Sequence, residues 1–180
     1  MNYIEELKQR LDGMFSPEKS YFPKDNLLSI TVSNSNVRGA LAHLKDVEGF
    51  KHFVMLSCVD WLEDGKFELV YIVWHPEKKV NVAVKTLIDR ENPEFHSLHD
   101  MWRQLCTYER EIWEMYGVNF IGHPRLEEFI LENWKGMPPM RRDFDTLHYV
   151  NEHYEWREGR EENYKPRDYI GEAFDEWRRK

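Results

Sequence analysis

Three apolar segments in the first half of the chain alternate with a period of two, and they constrain the fold more than any other feature. The segments are "FKHFVMLSCVDWL", "KFELVYIVW" and "VNVAVKTLI". Asp64 and Gly65 separate the first two, and Pro76 follows the second. An Asp-Gly pair between apolar runs is typical of a tight hairpin, and the alternation is typical of strands that bury one face. The sequence therefore predicts a three-stranded antiparallel meander.

The segments upstream of the meander follow a helical period, a strand period and then a helical period again. Apolar residues recur at helical spacing over residues 4–13, and residues 27–33 alternate as in a half-buried strand. Asn36 can cap a second helix, which Gly49 can end. We therefore expect an α+β fold, with helices packed on a mostly antiparallel sheet.

The second half of the chain predicts a long helix and then an extended tail. Helical spacing continues over residues 97–117, and a shorter helix is expected over residues 126–134. Residues 145–180 are rich in aromatic residues but poor in aliphatic ones, a composition that cannot build a core of its own. We expect one domain over residues 1–144 and a tail over residues 145–180. Two alternatives stay open for the tail: it covers its own domain, or it docks on a neighbouring subunit.

The charge and hydropathy of the chain argue against two classes of protein. The 180 residues include 33 Asp and Glu against 25 Lys and Arg, a net charge of -8. Nucleic-acid binding driven by phosphate neutralisation therefore lacks its electrostatic basis. The longest apolar runs are far shorter than the roughly 18 residues that a membrane-spanning helix needs. The first residues, "MNYIEELKQRL", predict an acidic amphipathic helix rather than a signal peptide, so we expect a soluble, intracellular chain.

A search for catalytic or metal-binding patterns finds only weak candidates. No glycine-rich phosphate-binding motif occurs. His96 and His99 have a spacing compatible with two ligands of a metal-assisted hydrolase, but no cysteine or third histidine lies nearby. Ser57, Cys58 and Asp60 share one predicted strand without a nearby histidine, which favours core packing over nucleophilic catalysis. We therefore expect no catalytic, cofactor-binding or metal-ligating residue in this chain.

The stretch "YEREIWEMYG" places a carboxylate where a core helix should be apolar. At about 100° per residue, Glu109 falls near the middle of the apolar stripe of its helix. It could act as a general acid with a raised pKa, or it could be exposed on a face that is not buried. A structural ion pair is the favoured interpretation, because a guanidinium can bind a carboxylate with two hydrogen bonds. The candidate partners are Arg110, Arg125, Arg141 and Arg142.

The longer stretch "YEREIWEMYGVNFIGHPRLEEFILENWKGMPPMRRDF" resembles the C-terminal signature of the thirty-kilodalton subunit family of complex I, the C-type subunits of NADH dehydrogenase. The family pattern runs roughly as E-R-E, two residues, an acid, two apolar residues and G, then G-H-P, a short helix and W-x-G-x-P-L-R-K-D-F. The matching or similar positions are Glu109, Arg110, Glu111, Glu114, Met115, Tyr116, Gly117, Gly122, His123, Pro124, Trp134, Gly136, Pro138, Pro139, Arg141, Arg142, Asp143 and Phe144. As departures, Glu127 and Glu128 replace basic residues, and Met140 replaces a leucine.

The resemblance implies a noncatalytic subunit in the peripheral arm of a membrane-bound, complex I-related oxidoreductase, on the cytoplasmic side. Members of that family hold no redox cofactor. They pack against a large subunit resembling the forty-nine-kilodalton subunit of complex I or the NiFe-hydrogenase large subunit, near an Fe–S small subunit and a ferredoxin-like subunit. Fe–S clusters, and a NiFe centre in hydrogenases, are expected on those partners. The matching residues are then a motif for structure and partner docking.

Composition adds one preference among the relatives of complex I. The charge-rich, glutamine-poor sequence favours an archaeal hydrogenase or sulfane-sulfur reductase complex over an NADH or deazaflavin dehydrogenase. The alternative outside this group is a protein-binding adaptor that belongs to no redox complex.

Overall fold

A five-stranded sheet and three helices organise the first unit of the protein, which ends at Phe144. The computed structural model describes residues 2–154. Its helices are α1 (Tyr3–Phe15), α2 (Asn34–Asp46), α3 (Leu105–Tyr116) and, in the second unit, α4 (Thr146–His153). Its strands are β1 (Lys19–Lys24), β2 (Leu27–Thr31), β3 (His52–Trp61), β4 (Lys66–His75), β5 (Val80–Asp89), β6 (Glu94–His96) and β7 (Asn119–Ile121).

The order of the large sheet is β1-β2-β5-β4-β3. Only β2 and β5 pair in parallel within it, and the other three pairings are antiparallel. The predicted meander is confirmed as β3, β4 and β5. A short 3-10 turn over Leu62–Asp64 leads into Gly65, whose left-handed φ of 62° completes the first hairpin. The α+β class with a mostly antiparallel sheet is therefore confirmed.

One face of the sheet carries the hydrophobic core. Alternate residues of β3, β4 and β5 are buried together with the apolar stripes of α1, α2 and α3. On the other face of the sheet, Val59, Trp61 and Leu87 are exposed. The period-two pattern of the sequence therefore distinguishes a face covered by helices from an uncovered one.

The long helix predicted over residues 97–117 is wrong in its first third, because α3 begins only at Leu105. The backbone N–H of Ser97 donates to the carbonyl of Ile121 at 2.9 Å, and that of Leu98 donates to the carboxylate of Glu109 at 2.8 Å. Both bonds hold this segment against α3 and β7 in a conformation that is not helical. Leu98 is nevertheless buried, which explains why the apolar spacing resembled a helix.

The short helix predicted over residues 126–134 does not form. The carboxylate of Glu114 accepts the N–H groups of Phe129, Ile130 and Leu131 at 2.8–3.2 Å. Arg110 donates to the carbonyls of two residues just before them. Backbone groups that a helix would pair internally are therefore bound by side chains of α3.

Strands β1, β6 and β7 were not predicted from the sequence, and the structure gives the physical reasons. Strand β1 is exposed along most of its length at the sheet edge, so it carries no apolar alternation. Strands β6 and β7 have three residues each, and they pair in parallel as a separate two-stranded sheet. Such short strands give no periodic signal.

The second unit begins at Asp145, and its first described element is α4. The side chain of Asp145 caps this helix by accepting the N–H of His148 at 3.0 Å. The predicted extended tail therefore starts with a helix of eight residues. Five of the aromatic residues that motivated the prediction lie outside the described residues: Trp156, Tyr164, Tyr169, Phe174 and Trp177.

Candidate functional site

The motif residues found in the sequence lie on α3 and on a following segment that contacts it. We call residues 122–144 the strip. Helix α3 carries Glu109, Arg110, Glu111, Glu114 and Tyr116, and Gly117 ends the helix. The strip carries Gly122, His123, Pro124, Trp134, Gly136, Pro138, Arg141, Arg142, Asp143 and Phe144.

Arg110 binds two backbone carbonyls of the strip, those of Glu127 and Glu128. Its Nε donates to the carbonyl of Glu127 at 2.7 Å, and its Nη2 donates to the carbonyl of Glu128. The guanidinium also lies 5.0 Å from the ring centroid of Phe129 and 3.6 Å from the carboxylate of Glu127. The acidic residue that departs from the family pattern is thus complementary in charge to Arg110.

Glu114, one helical turn later, fixes the next residues by their N–H groups. Its side chain is almost fully buried, with the residue 9% exposed. Oε1 accepts from Phe129 at 2.8 Å and from Leu131 at 3.2 Å, and Oε2 accepts from Ile130 at 2.9 Å. A carboxylate that accepts three N–H bonds is held strongly, because charge-assisted bonds are stronger than neutral ones. Arg110 therefore binds carbonyl groups and Glu114 binds N–H groups in a segment of the strip that lacks regular structure.

Glu114→Ala should release this part of the strip without unfolding the domain. Three N–H groups would lose their acceptor, and local opening should become easier by about 1–3 kcal/mol. We expect trypsin to cleave after Arg125 and Lys135 about tenfold faster than in the parent. Glu132→Ala, in the same segment but exposed, is the control. Equal cleavage rates for the two variants would contradict the assigned role of Glu114.

His123 anchors the "GHP" turn to the first turn of α3. Its Nδ1 accepts the N–H of Arg125 at 3.0 Å, so its Nε2 carries the proton and donates to the carbonyl of Cys106 at 2.9 Å. Burial lowers the pKa of His123 below its ordinary value, which agrees with a neutral ring. Gly122, which has a positive φ, and Pro124 flank it and are exposed.

The C-terminus of α3 is capped by the far end of the strip. Arg141 Nε donates to the carbonyl of Tyr116 at 2.8 Å, placing a cation where the helix dipole is negative. Gly117 has a φ of 81°, and a Cβ there would lie 3.1 Å from both Arg141 Nη2 and Pro138 Cγ. Only glycine fits both the backbone and the close approach of the strip.

An ion-pair network centred on the buried Arg90–Asp60 pair fastens the end of the strip to the meander. Arg90 binds Asp60 through two bonds, Nε to Oδ1 at 2.8 Å and Nη2 to Oδ2 at 3.0 Å, and its Nη2 also lies 2.6 Å from Asp143. The N–H of Arg142 donates to Asp60 at 2.9 Å, and its guanidinium binds Glu63 at 2.6 Å. Burial raises the pKa of Asp60, but its bonds from Arg90 and Arg142 outweigh that effect and hold the pKa below its ordinary value.

The remaining motif residues lie near the end of the strip and on α3. Trp134 donates from Nε1 to the carbonyl of Met137 at 3.0 Å, and its ring lies 5.6 Å from that of Phe144. Gly136 has a φ of 117° and is exposed. Glu111 is half-buried on α3 and faces a groove beside β3.

The ion pair predicted for Glu109 is wrong, although its burial is confirmed, since the residue is 0% exposed. None of the four candidate arginines reaches it. Its carboxylate instead accepts the hydroxyl of Ser97 and the N–H of Leu98. Burial raises its pKa from 4.5 to about 7, and the nearby Asp100 adds to the increase, while the two hydrogen bonds oppose it. Glu109 thus ties α3 to the segment that follows β6.

His99, one of the two histidines considered as metal ligands, has other contacts. His99 Nδ1 lies 3.0 Å from the hydroxyl of Ser97, and its ring centroid lies 6.2 Å from that of His123. His96 is exposed on β6. Within residues 2–154, no three histidines, cysteines or acidic residues are grouped as a metal site would require.

The family described as "Respiratory-chain NADH dehydrogenase, 30 Kd subunit" matches residues 30–150, which include the meander, α3 and the whole strip. The chain belongs to this family. The resemblance inferred from the strip is thereby confirmed over a much longer region.

Several relatives are C-type subunits of NADH-quinone oxidoreductases. The one from Moorella thermoacetica is 29% identical, over 79% of this chain and 93% of that protein. The one from Rhizobium johnstonii is 31% identical, over 71% of this chain and 65% of that protein. A longer C/D-type relative from Aquifex aeolicus is 32% identical over 76% of this chain, which spans only 23% of that protein.

Solved structures share the fold. A chain in the structure of the membrane-bound sulfane sulfur reductase, described as an archaeal respiratory membrane complex, superposes with a TM-score of 0.76 at 28% identity. The match covers 87% of this chain and 96% of that one. A trypsin-resistant fragment of Nqo5 superposes with a TM-score of 0.58 at 20% identity, which indicates a common fold. Among residues 2–154, no helix has the length and apolar character needed to cross a membrane.

The sequence pattern indicated Asp60 only as a core residue of its strand and did not indicate Arg90, yet these two residues fasten the strip. Asp60 continues the buried alternation of Leu56 and Cys58 on β3, so the pattern itself placed a carboxylate in the core. A buried carboxylate requires a cation or several donors. That requirement could have prompted a search for its partner, although nothing in the sequence singled out Arg90.

Proposed function

We propose that this protein is a noncatalytic subunit of the peripheral arm of a membrane-bound, complex I-related respiratory oxidoreductase. Its role is to dock and stabilise a large subunit of the forty-nine-kilodalton or NiFe-hydrogenase type together with an Fe–S small subunit and a ferredoxin-like subunit. The Fe–S clusters, and a NiFe centre if the complex is a hydrogenase, belong to those partners. In this proposal the chain lies on the cytoplasmic side and supports electron transfer coupled to ion pumping without taking part in it.

The observation that carries the proposal is a rigidly held segment with an apolar outer surface. Arg110 and Glu114 bind the backbone of the strip from one side. Four large apolar side chains of the strip are partly exposed to solvent: Phe129, Ile130, Met137 and Met140, which are 42–56% exposed. Fixing a surface before it binds lowers the entropy lost on association. Exposed apolar side chains on such a surface are typical of protein interfaces.

The charged residues of the motif support a structural rather than a catalytic role. Arg110 and Glu114 bind the backbone of the strip, and Arg141 caps α3. Arg142 and Asp143 are held in ion pairs at the end of the meander. Each of these side chains therefore has a contact within the fold that accounts for its place in the motif.

The relatives support the choice of partners. The C/D-type protein of Aquifex contains this domain as 23% of its length, so in that protein a C-type domain is joined to a D-type part. Two parts joined in one chain remain close to each other by construction. This favours a D-type large subunit as the principal partner of the strip. The similarity to a chain of the archaeal sulfane sulfur reductase complex favours a sulfur reductase or a related archaeal complex.

We propose the second unit, residues 145–180, as an additional docking element. Its aromatic residues and scarcity of aliphatic ones suit a segment that packs aromatic side chains on a partner surface.

A pull-down from native membranes tests the proposed function. The tagged full-length chain would be recovered in mild detergent, and the sample analysed by mass spectrometry and for iron and nickel. We expect iron-rich partner subunits, with nickel only in a hydrogenase. Recovery of the chain alone, or with metal-free partners, would favour the adaptor alternative and overturn the proposal.

Replacing the exposed apolar pair of the strip should weaken assembly. Phe129→Ser combined with Ile130→Ser removes two side chains that are 44% and 54% exposed, so the isolated chain should stay folded, with at most a small fall in melting temperature from the lost Arg110–Phe129 contact. Recovery of partner subunits should fall about tenfold or more, as expected when anchoring apolar residues are lost. Val47→Ser, at a position that is 70% exposed at the end of α2, is the matched control. If the strip variant captured as much partner as the control, another surface would have to carry the docking.

A further inference from the structure

We propose that the groove between β3 and α3 receives a cationic side chain, arginine or lysine, from an apolar segment of a partner subunit, and that Glu111 pairs with it. This inference rests on the proposed docking function and specifies the chemistry of the partner at one point of the interface.

The groove is apolar and continuous with the strip. It has a volume of about 380 Å³ and is lined by Met55 of β3, Met115 of α3 and Met140 of the strip. The N–H of Met140 donates to the carbonyl of Met115 at 3.0 Å, so the strip itself builds one wall. Met55 and Met140 are 37% and 56% exposed, which leaves the groove accessible from outside.

The position of β3 also makes the groove accessible to an extended chain. Within the described sheet β3 is the last strand, paired only with β4. Strands at sheet edges are common sites for the addition of a partner segment, and such segments insert alternate side chains into neighbouring pockets. A partner residue can thus reach Glu111 from the edge of the sheet.

Glu111 differs from the other motif carboxylates of α3. Glu109 and Glu114 each accept two or three hydrogen bonds from within the fold. The side chain of Glu111 is half-buried on the groove wall and makes neither a hydrogen bond nor an ion pair with any residue in the described range 2–154. It is therefore the motif carboxylate whose partner the domain itself does not supply.

A partner that covers the groove must compensate the charge of Glu111. A docked apolar surface would remove the remaining water from Glu111, and an unpaired buried carboxylate is costly. A cationic side chain offsets that cost, and its aliphatic stem can pack on the three flexible methionines. Tyr108 and Tyr116 also line the groove and provide aromatic faces for the cation. Together these features select a cation carried on an apolar segment.

The test compares Glu111→Gln with Glu132→Gln in the membrane pull-down. Glu111→Gln keeps the size of the side chain and removes its charge, whereas Glu132 is an exposed glutamate of the strip. We expect Glu111→Gln to reduce recovered partner about tenfold, and Glu132→Gln to leave recovery unchanged. The isolated Glu111→Gln chain should melt no lower than the parent, because the Glu111 side chain has no partner within the described domain.

The outcomes separate this inference from the proposed function. If Glu111→Gln captured as much partner as Glu132→Gln while the Phe129 and Ile130 variant lost it, the groove inference would fail and docking through the strip would stand. A lower melting temperature for isolated Glu111→Gln would assign Glu111 a structural role and also overturn the inference. Failure of the parent chain to capture redox subunits would overturn both.

A second readout distinguishes the two cations in the assembled complex. Carbodiimide coupling joins a carboxylate to a contacting amine, so a cross-link at Glu111 identifies a lysine. Loss of capture in Glu111→Gln without such a cross-link in the parent identifies an arginine, whose guanidinium does not couple.

Discussion

Arg90→Ala should lower the free energy of unfolding by about 3–5 kcal/mol, because it would leave the buried carboxylate of Asp60 without its cation. The Arg90 and Asp60 side chains are 6% and 2% exposed, and two hydrogen bonds join them. The same change removes the contact with Asp143, so the end of the strip should also become mobile. Chemical denaturation followed by tryptophan fluorescence measures the loss.

Arg38→Ala is the matched control for this prediction. Arg38 also binds an aspartate, Asp100, through two nitrogens, but their side chains are 52% and 54% exposed. Solvent screening should reduce the cost of this change to less than about 1 kcal/mol. Similar losses in Arg90→Ala and Arg38→Ala would show that the Asp60 network does not fasten the strip.

Glu109→Gln should change the pH dependence of stability. The pKa of Glu109 is raised from 4.5 to about 7 in the folded protein, so the folded state holds this proton more tightly than the unfolded state does. Stability contributed by this group is therefore complete below pH 4.5 and is lost as the pH rises toward 7. The loss amounts to about 3 kcal/mol above pH 7.

The amide in Glu109→Gln can still accept the N–H of Leu98 and can donate to Ser97, but it has no charge to desolvate. Relative to the parent, the variant should gain stability between pH 4.5 and 7 and keep that gain at higher pH. Unfolding free energies at pH 4.5, 6 and 8 measure the difference, with Glu132→Gln as the control. If the difference in unfolding free energy between Glu109→Gln and the parent did not depend on pH, Glu109 would have an ordinary pKa in the folded protein. If the variant gained less stability at pH 8 than at pH 4.5, folding would lower the pKa of Glu109 instead of raising it.

Regular structure was predicted well where short-range periodicity determined it. The alternation in β3 to β5 and the Asp64-Gly65 pair were sufficient for the meander, because each strand buries one face of its own residues. The segment before α3 was predicted as helical because its apolar spacing fits a helix, and the segment after β7 because it follows "GHP" and ends before Gly136. Their backbone groups are instead bound by Glu109, Arg110 and Glu114, and such contacts across more than ten residues leave no periodic trace.

The sequence predicted which residues form the candidate site, but it did not predict the contacts that those residues make. The burial of Glu109 followed from its position in the stripe, but its partners are a hydroxyl and a backbone N–H rather than a guanidinium. Arginines can be identified in the sequence as candidate partners of a carboxylate. Every residue except proline has a backbone N–H, so the sequence does not indicate which N–H the carboxylate accepts. Arg90 was not predicted for a similar reason: it pairs with Asp60 only because the folded sheet brings the two residues together, and they lie far apart in the sequence.

Hydrogen exchange of the strip, compared between the isolated chain and the chain in its membrane complex, tests the docking claim most directly. We expect peptides spanning residues 125–144 to exchange more slowly in the complex, together with β3 and α3 beside the groove. Peptides of α1, whose apolar face is already buried in the core, should change little. Unchanged exchange over residues 125–144, with protection confined to other surfaces, would contradict the assignment of the strip as the docking site.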